Sequence, residues 1–266
     1  MNAISEVLRT KNSTCALIPF ITAGYPNLEL SIEALYTLDK RGADIIELGI
    51  PYSDALADGP VIQESSRVAL EQGVYISQVL NILQEVSTKI CAPIVIFTYY
   101  NPILARGIKK FIQEISINGA KGLIIPDLPL EETDYIIQLC HDFSIELILF
   151  IAPTSSETRI STILSKSPGS IYLVSSYGVT GMRQQIESRI NDLAYFIKQK
   201  TNKFIILGFG ISSPEQASQI SSWNIDGIVI GSAFIKKMSL KSKDKMIDDL
   251  SDFCQMLRLA IDLTVH

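Results

Sequence analysis

Histidine is nearly absent from this chain: there are two in 266 residues, His141 within a predicted helix and His266 at the end. They are too few for a His-rich metal site, and no histidine is placed to act as a general base. Cysteine is sparse as well. Cys15, Cys91, Cys140 and Cys254 are far apart with no CxxC pair, which reads as reduced, mostly buried thiols. No apolar run approaches the ~18 residues of a membrane span; 147–153 reaches only strand length. Basic residues are not in surplus. Lys and Arg number 23 against 28 Asp and Glu, a net charge of -5, which argues against nucleic-acid or anionic-membrane partners. The N-terminus shows neither an h-region nor an Arg/Ser-rich leader, so a soluble protein of the cytoplasm or a plastid stroma is expected.

What the chain does have is a recurring unit. A short apolar run ends in Gly, Pro, Asp or Asn, and an amphipathic segment follows. The runs are 15–21, 44–50, 94–99, 122–125, 146–151, 170–175, 204–208 and 227–230, eight in all. They are continuous Ile, Val and Leu rather than alternating, as strands buried on both faces are. Helices are predicted over 28–40, 107–117, 132–143, 155–165 and 244–264, with a short leading helix over 4–9. Thr154 with Glu157 has capping-box spacing, and Ser213-Pro214 reads as an N-cap followed by Pro at the first helical position. Eight strand–helix units in ~250 residues predict a single-domain (β/α)8 TIM barrel with an extra N-terminal helix, spanning 1–266. A doubly wound sheet is the main competitor. It has fewer strands, and no GxGxxG follows the first strand here.

Barrel chemistry sits at the C-terminal strand ends and the loops after them. The polar residues there are Thr22, Glu47, Tyr99, Asn101, Asp127, Ser175 and Ser176, with Ser53, Asp54 and Asp58 in the second loop. No Lys is among them; Lys121 and Lys203 precede strands and belong to the opposite rim. A Schiff-base aldolase is therefore disfavoured. Glu47, inside an apolar strand, is either a hydrogen-bonded barrel filler or an acid/base with a raised pKa. Asp58 is either a turn or N-cap residue or the second carboxylate of a working pair. Gly208-Phe209-Gly210 and Gly231-Ser232-Ala233 close the last two strands, where barrels bind phosphate, although each motif alone could be a turn. The sixth loop, 177–185, holds two glycines three apart and suits either a surface loop or a hinged lid.

At this point the residues resemble one family, the tryptophan synthase alpha chain. Glu47-Leu48-Gly49-Ile50-Pro51-Tyr52-Ser53-Asp54-Ala55-Leu56-Ala57-Asp58-Gly59-Pro60, continued by Val61-Ile62-Gln63, is similar to its ELGxPxSDPxADGPxIQ signature. Pro19-Phe20-Ile21-Thr22-Ala23-Gly24-Tyr25-Pro26, Tyr99-Tyr100-Asn101-Pro102, Pro126-Asp127-Leu128-Pro129, Gly178-Val179-Thr180-Gly181 and Gly208-Phe209-Gly210-Ile211 match in order. The resemblance implies a lyase that cleaves indole-3-glycerol phosphate to indole and glyceraldehyde 3-phosphate. It implies Glu47 as the proton shuttle, Asp58 as acceptor of the indole N–H, and Tyr172 beside them. It further implies a phosphate site at Gly181, Gly210, Gly231 and Ser232, and a lid carrying Thr180. The indole walls would be Phe20, Phe97, Ile124, Ile151 and Phe209; without the family match these would read as ordinary barrel core.

The resemblance also implies a partner, the tryptophan synthase beta chain, in an alpha2beta2 heterotetramer. Pyridoxal phosphate would belong to that partner only, with no cofactor and no metal on this chain. Docking is expected on the top rim, at 51–55, Asn101-Pro102 and Leu128-Pro129. Two positions depart from the pattern. Ala55 replaces the usual Pro of SDPxADG, and Ser176 stands where many relatives carry Arg or another residue. Two other functions compete with the lyase: a different phosphate-binding barrel enzyme and a non-catalytic subunit. An isomerase or an indole-glycerol-phosphate-forming cyclase is one, but such a cyclase would use a strand-end Lys. A non-catalytic subunit is the other, but it would be marked by loss of Glu47 or Asp58.

Overall fold

A computed structural model of the chain describes residues 3–11, 13–174, 183–208, 210–239 and 242–263. Among them are eight strands: β1 (Ala16–Thr22), β2 (Ile46–Gly49), β3 (Ile94–Phe97), β4 (Gly122–Ile124), β5 (Glu146–Ile151), β6 (Ser170–Val174), β7 (Phe204–Gly208) and β8 (Gly227–Ile230). Each pairs in parallel with the next, and β8 pairs with β1 to close the barrel. Every residue of β1, β2, β4 and β8 is buried, which is why these strands read as unbroken apolar runs. The expected (β/α)8 barrel is present.

The helices are α1 (Ala3–Thr10), α2 (Leu28–Lys40), α3 (Pro60–Glu71), α4 (Ile76–Val86), α5 (Tyr100–Arg106) and α6 (Ile108–Ile117). They continue with α7 (Thr133–Asp142), α8 (Glu157–Lys166), α9 (Arg183–Lys200), α10 (Pro214–Ser221), α11 (Ser232–Met238) and α12 (Lys243–Asp262). Local chemistry places several starts. Asn27 Oδ1 accepts the Leu30 N–H at 2.9 Å to cap α2, and Ser213 Oγ accepts that of Gln216 ahead of Pro214 in α10. The capping of α8 differs from expectation. Ser155 is drawn into a turn, its Oγ accepting the Ala152 N–H at 3.2 Å, so Ser156 becomes the N-cap in place of Thr154.

The lower rim is tied by polar contacts. In α1, Ile4 and Leu8 are buried, while Ser5 donates to Glu146 from its backbone N–H at 3.2 Å and its hydroxyl at 2.8 Å. The Ser170 N–H reaches the same carboxylate at 2.7 Å. Asp44 belongs to this rim rather than to β2. It accepts the Leu17 N–H at 2.7 Å and pairs with Arg258 of α12 at 2.6 Å. These contacts fix α1 against the barrel base and tie the C-terminal part of α12, which packs along the wall against α2 and α10, to the same rim.

Candidate active site

Glu47 lies in β2, facing Phe20 of β1 and Val95 of β3 in register. It is 2% exposed. Burial disfavours its charged form, and the nearby Asp58 charge adds to that, so its carboxyl is pushed up to about 8. A group poised there can hold a proton at neutral pH and still release it.

Asp58 sits in the loop between β2 and α3. Its Oδ2 accepts the Tyr99 hydroxyl at 2.9 Å. Burial pushes its carboxyl up to about 6, against the lowering effect of that hydrogen bond. The loop is held in shape from both sides. Tyr99 accepts the Ala57 N–H at 3.1 Å, and Gln63 Nε2 donates to the carbonyls of Ala55 and Asp58 at 3.1 and 3.0 Å.

Tyr172 reaches the pair from β6. It is buried, and burial together with the charges of Glu47 and Asp58 holds its hydroxyl protonated, well above the ordinary phenol range. Its ring meets Phe150 at 4.9 Å between centroids. Glu47, Asp58 and Tyr172 therefore come together from two strands and one loop.

An apolar wall stands beside them. Phe20 and Phe97 pack edge to face at 5.7 Å, and Phe97 meets Tyr99 in the same way at 6.2 Å. A Cβ at Gly49 would lie 2.7 Å from the Phe20 ring, so the bare glycine backbone is what admits that ring. Ile124 pairs with Phe97 across β3 and β4, and Ile151 is fully buried at the end of β5. Phe209 lies outside the described residues.

The glycines of the expected phosphate site fall where they were anticipated in part. Gly210 has φ +58°, Gly231 precedes α11 as its N-cap, and Ser232 is the first residue of that helix. The first turn of a helix leaves backbone N–H groups without intrahelical partners. A cavity of about 330 Å³ opens there, lined by Ser212, Ser232, Ala233, Lys236, Lys237 and Phe253. The two lysines were not anticipated; they lie on a helix and left no mark at a strand end. Gly181, Thr180, Ser175, Ser176 and the lid loop to residue 182 lie outside the described residues. No group of three or more metal-ligating side chains occurs among the described residues.

Tyr99 is the contact that sequence reasoning undervalued. It appeared among polar strand-end residues, but its partner Asp58 is 41 positions away. Asn101, from the same list, donates to the Tyr52 hydroxyl at 3.3 Å, and Asp127 accepts the Tyr100 N–H at 2.8 Å. Thr22 shares a hydrogen bond with Ser65 at 2.6 Å. These residues join neighbouring rim loops to one another.

Comparison with known proteins shows the family. The sequence model of the family described as tryptophan synthase alpha chain matches residues 7–262. The tryptophan synthase alpha chain of Gracilaria tenuistipitata var. liui is 64% identical over 261 residues, covering 98% of this chain and 97% of that one. That of Synechocystis sp. is 48% identical over 263 residues, covering 98% and 100%. Among solved structures, tryptophan synthase subunit alpha from Legionella pneumophila superposes with a TM-score of 0.88 at 31% identity, covering 99% of both chains. Tryptophan synthase from M. tuberculosis in an aminoacrylate-bound form gives 0.87 at 28% identity, covering 98% of this chain and 100% of that one. The chain belongs to the tryptophan synthase alpha chain family, the lyases of L-tryptophan biosynthesis that cleave indole-3-glycerol phosphate to indole and glyceraldehyde 3-phosphate.

Proposed function

We propose that Glu47 and Asp58 carry the proton chemistry of this cleavage. The observation behind the assignment is a buried Glu47 and a half-buried Asp58 on one rim, whose surroundings hold them at different values, about 8 and about 6. Near pH 7 that favours a protonated Glu47 beside an ionised Asp58.

Indole leaves poorly as a carbanion, so ring carbon C3 must first gain a proton. Glu47 supplies it, and positive charge spreads to the ring nitrogen. Asp58 accepts the N–H and stabilises that cation, an effect worth several kcal/mol at a fixed, dry carboxylate. Glu47, now ionised, takes the proton from the side-chain hydroxyl next to C3. The carbon–carbon bond breaks, its electron pair returns to the ring, and the hydroxyl carbon becomes the aldehyde of glyceraldehyde 3-phosphate. Glu47 ends protonated, so the cycle closes with no metal and no cofactor. Tyr172 keeps a protonated hydroxyl close to Glu47.

Phe20, Phe97, Ile124, Ile151 and Phe209 wall the flat ring. Backbone N–H groups at Gly181, Gly210, Gly231 and Ser232 hold the phosphate, and Thr180 rides on the lid. The chain works as one barrel unit over its 266 residues. Its partner is a beta chain carrying pyridoxal phosphate, in an alpha2beta2 assembly that receives the apolar indole directly. The top rim around 51–55, Asn101-Pro102 and Leu128-Pro129 docks it, and Leu56, 90% exposed beside that segment, adds an apolar contact. Relatives from red algae and cyanobacteria support a plastid stroma or cytoplasm as the location.

The test is indole release from indole-3-glycerol phosphate, with and without a beta chain. Slow release by the chain alone and faster release with the partner are expected. Glu47→Gln and Asp58→Asn each lower turnover by orders of magnitude with the far-UV circular dichroism unchanged. Normal turnover by either variant removes that residue from its role.

A further inference from the structure

The Tyr99 hydroxyl makes two contacts at once. It donates to Asp58 Oδ2 at 2.9 Å and accepts the Ala57 N–H at 3.1 Å. A phenol used both ways has its proton direction fixed: the amide can only donate, so the hydroxyl must point its hydrogen at the carboxylate. The ring itself is immobilised. Tyr52 lies against it at 5.2 Å and Phe97 meets it edge-on at 6.2 Å. Tyr99 also immediately precedes α5, so its backbone sits at the junction of a barrel strand and a helix. The second loop carries no regular structure between Gly49 and Pro60. Its functional carboxylate thus takes its position from a side chain of a different loop.

We infer that Tyr99 is a positioning residue for the lyase reaction, aiming the Asp58 carboxylate and keeping it ionised while substrate is bound. The inference rests on the assignment of Asp58 proposed above. Tyr99 touches no reacting atom in this scheme; it acts through the Asp58 carboxylate and through the Ala57 N–H of the same loop. A hydrogen bond donated to a carboxylate favours the ionised form, and its loss favours protonation. Burial already pushes Asp58 upward, and Tyr99 is the side chain that opposes it. Among the described residues, the other titratable groups facing this site are Glu47 from β2, Tyr172 from β6 and Tyr52 of the second loop, with Asp127 acting on Tyr99 from the loop after β4. Glu47, Tyr172 and Asp58 are linked through charge, and the hydrogen bond on Asp58 Oδ2 comes from Tyr99. Gln63 holds the loop by its carbonyls and does not reach the Asp58 carboxylate. Removing the Tyr99 hydroxyl therefore frees both the carboxylate and the Ala57 N–H, while Gln63 still holds the loop by the Ala55 and Asp58 carbonyls.

The experiment is Tyr99→Phe, measured as indole release across pH, alone and combined with Asp58→Asn. Phenylalanine keeps the ring packing against Tyr52 and Phe97, and circular dichroism with a thermal melt checks the fold. A charged-group hydrogen bond of ordinary strength predicts a roughly tenfold lower kcat at pH 7. The acid limb of the kcat profile moves to higher pH, because Asp58 protonates more easily. In the Asp58→Asn background the same substitution costs less, since the carboxylate it serves is gone. An acid limb that stays in place, or an equal loss in both backgrounds, overturns the inference. Full turnover by Asp58→Asn alone is a separate result: it overturns the Asp58 assignment, and this inference with it. If Tyr99→Phe unfolds, Tyr99→His, which keeps a ring and a donor near the carboxylate, must restore part of the activity; a folded but fully inactive Tyr99→His also overturns it.

Discussion

The Tyr172 hydroxyl rests on the bare backbone of Gly208, so closely that a Cβ there would lie 2.5 Å from the oxygen and 2.6 Å from the ring. The two residues come from adjacent strands, β6 and β7. Tyr172 is buried and backed by Phe150, so the ring has little room to retreat. Gly208→Ala is expected to cost about 1–3 kcal/mol of stability by overpacking. It should also lower kcat for indole release, because displacing the ring shifts a hydroxyl that lies close to Glu47 and Asp58. A thermal melt and a turnover assay check the two effects. An unchanged kcat in a destabilised variant would separate Tyr172 from the reaction.

The carboxyl values predict the pH dependence of turnover. Activity requires Asp58 ionised and Glu47 protonated, so kcat/KM should fall below about 6 and above about 8. The Asp58 charge is one cause of the raised Glu47 value. In Asp58→Asn the residual activity should therefore lose its acid limb, and its alkaline limb should move to lower pH. A pH series on both proteins tests this.

Glu47 also sets a stability trend of definite sign. Its folded value is raised from 4.5 to about 8. The folded state thus keeps a proton that the unfolded chain has released, and this contribution is full below about 4.5 and is lost as pH rises toward 8. Glu47→Gln removes the titration. It should be more stable than the parent by at least about 2 kcal/mol at pH 8, and nearly equal to it at pH 4. Urea melts at both pH values measure the difference, and equal stabilities at pH 8 contradict it.

The lower rim should matter for stability and not for chemistry. Ser5 gives Glu146 both its backbone N–H and its hydroxyl. Ser5→Ala strips one donor from a fully buried carboxylate and should cost about 1–3 kcal/mol. Indole release by the folded variant should match the parent. A large fall in kcat with unchanged stability would contradict the division of the barrel into a supporting base and a reactive top.

Leu56 tests the docking surface. It is 90% exposed in the loop that carries Asp58. Leu56→Asp should weaken the beta-chain response roughly tenfold, read as the partner concentration needed for half-maximal stimulation. An unchanged titration curve would place the docking surface elsewhere.

Some of this was legible because the relevant signal is local. A strand buried on both faces has to be apolar at every position, so eight Ile-, Leu- and Val-rich runs announced eight parallel strands. Glu47 stood out for the same reason, as a carboxyl in a run with no tolerance for charge. Ser213 and Pro214 marked the start of α10 because a cap and a fixed φ are properties of neighbouring residues. Local signals also misled. Thr154 has the right spacing to cap α8, yet a turn between Ala152 and Ser155 moves the start to Ser156. The helices α3, α4, α5 and α9 were not foreseen, and α9 begins at Arg183, inside the stretch read as the sixth loop; α5 has only seven residues, too few for a periodic pattern.

By itself, then, the amino-acid order determined the strand count, the parallel barrel, the family likeness and the short list of acid groups. Only the tertiary structure decided how those groups behave. Glu47 takes its proton affinity from burial and the Asp58 charge, Asp58 takes its own from burial and the Tyr99 hydrogen bond, and burial exists only once the barrel closes. Asp58 takes its orientation from Tyr99, and Glu146 takes its donors from Ser5, 141 positions away. Solvation and through-space contacts have no period and no spacing in a linear chain, so they appear only when the fold brings distant segments to one rim.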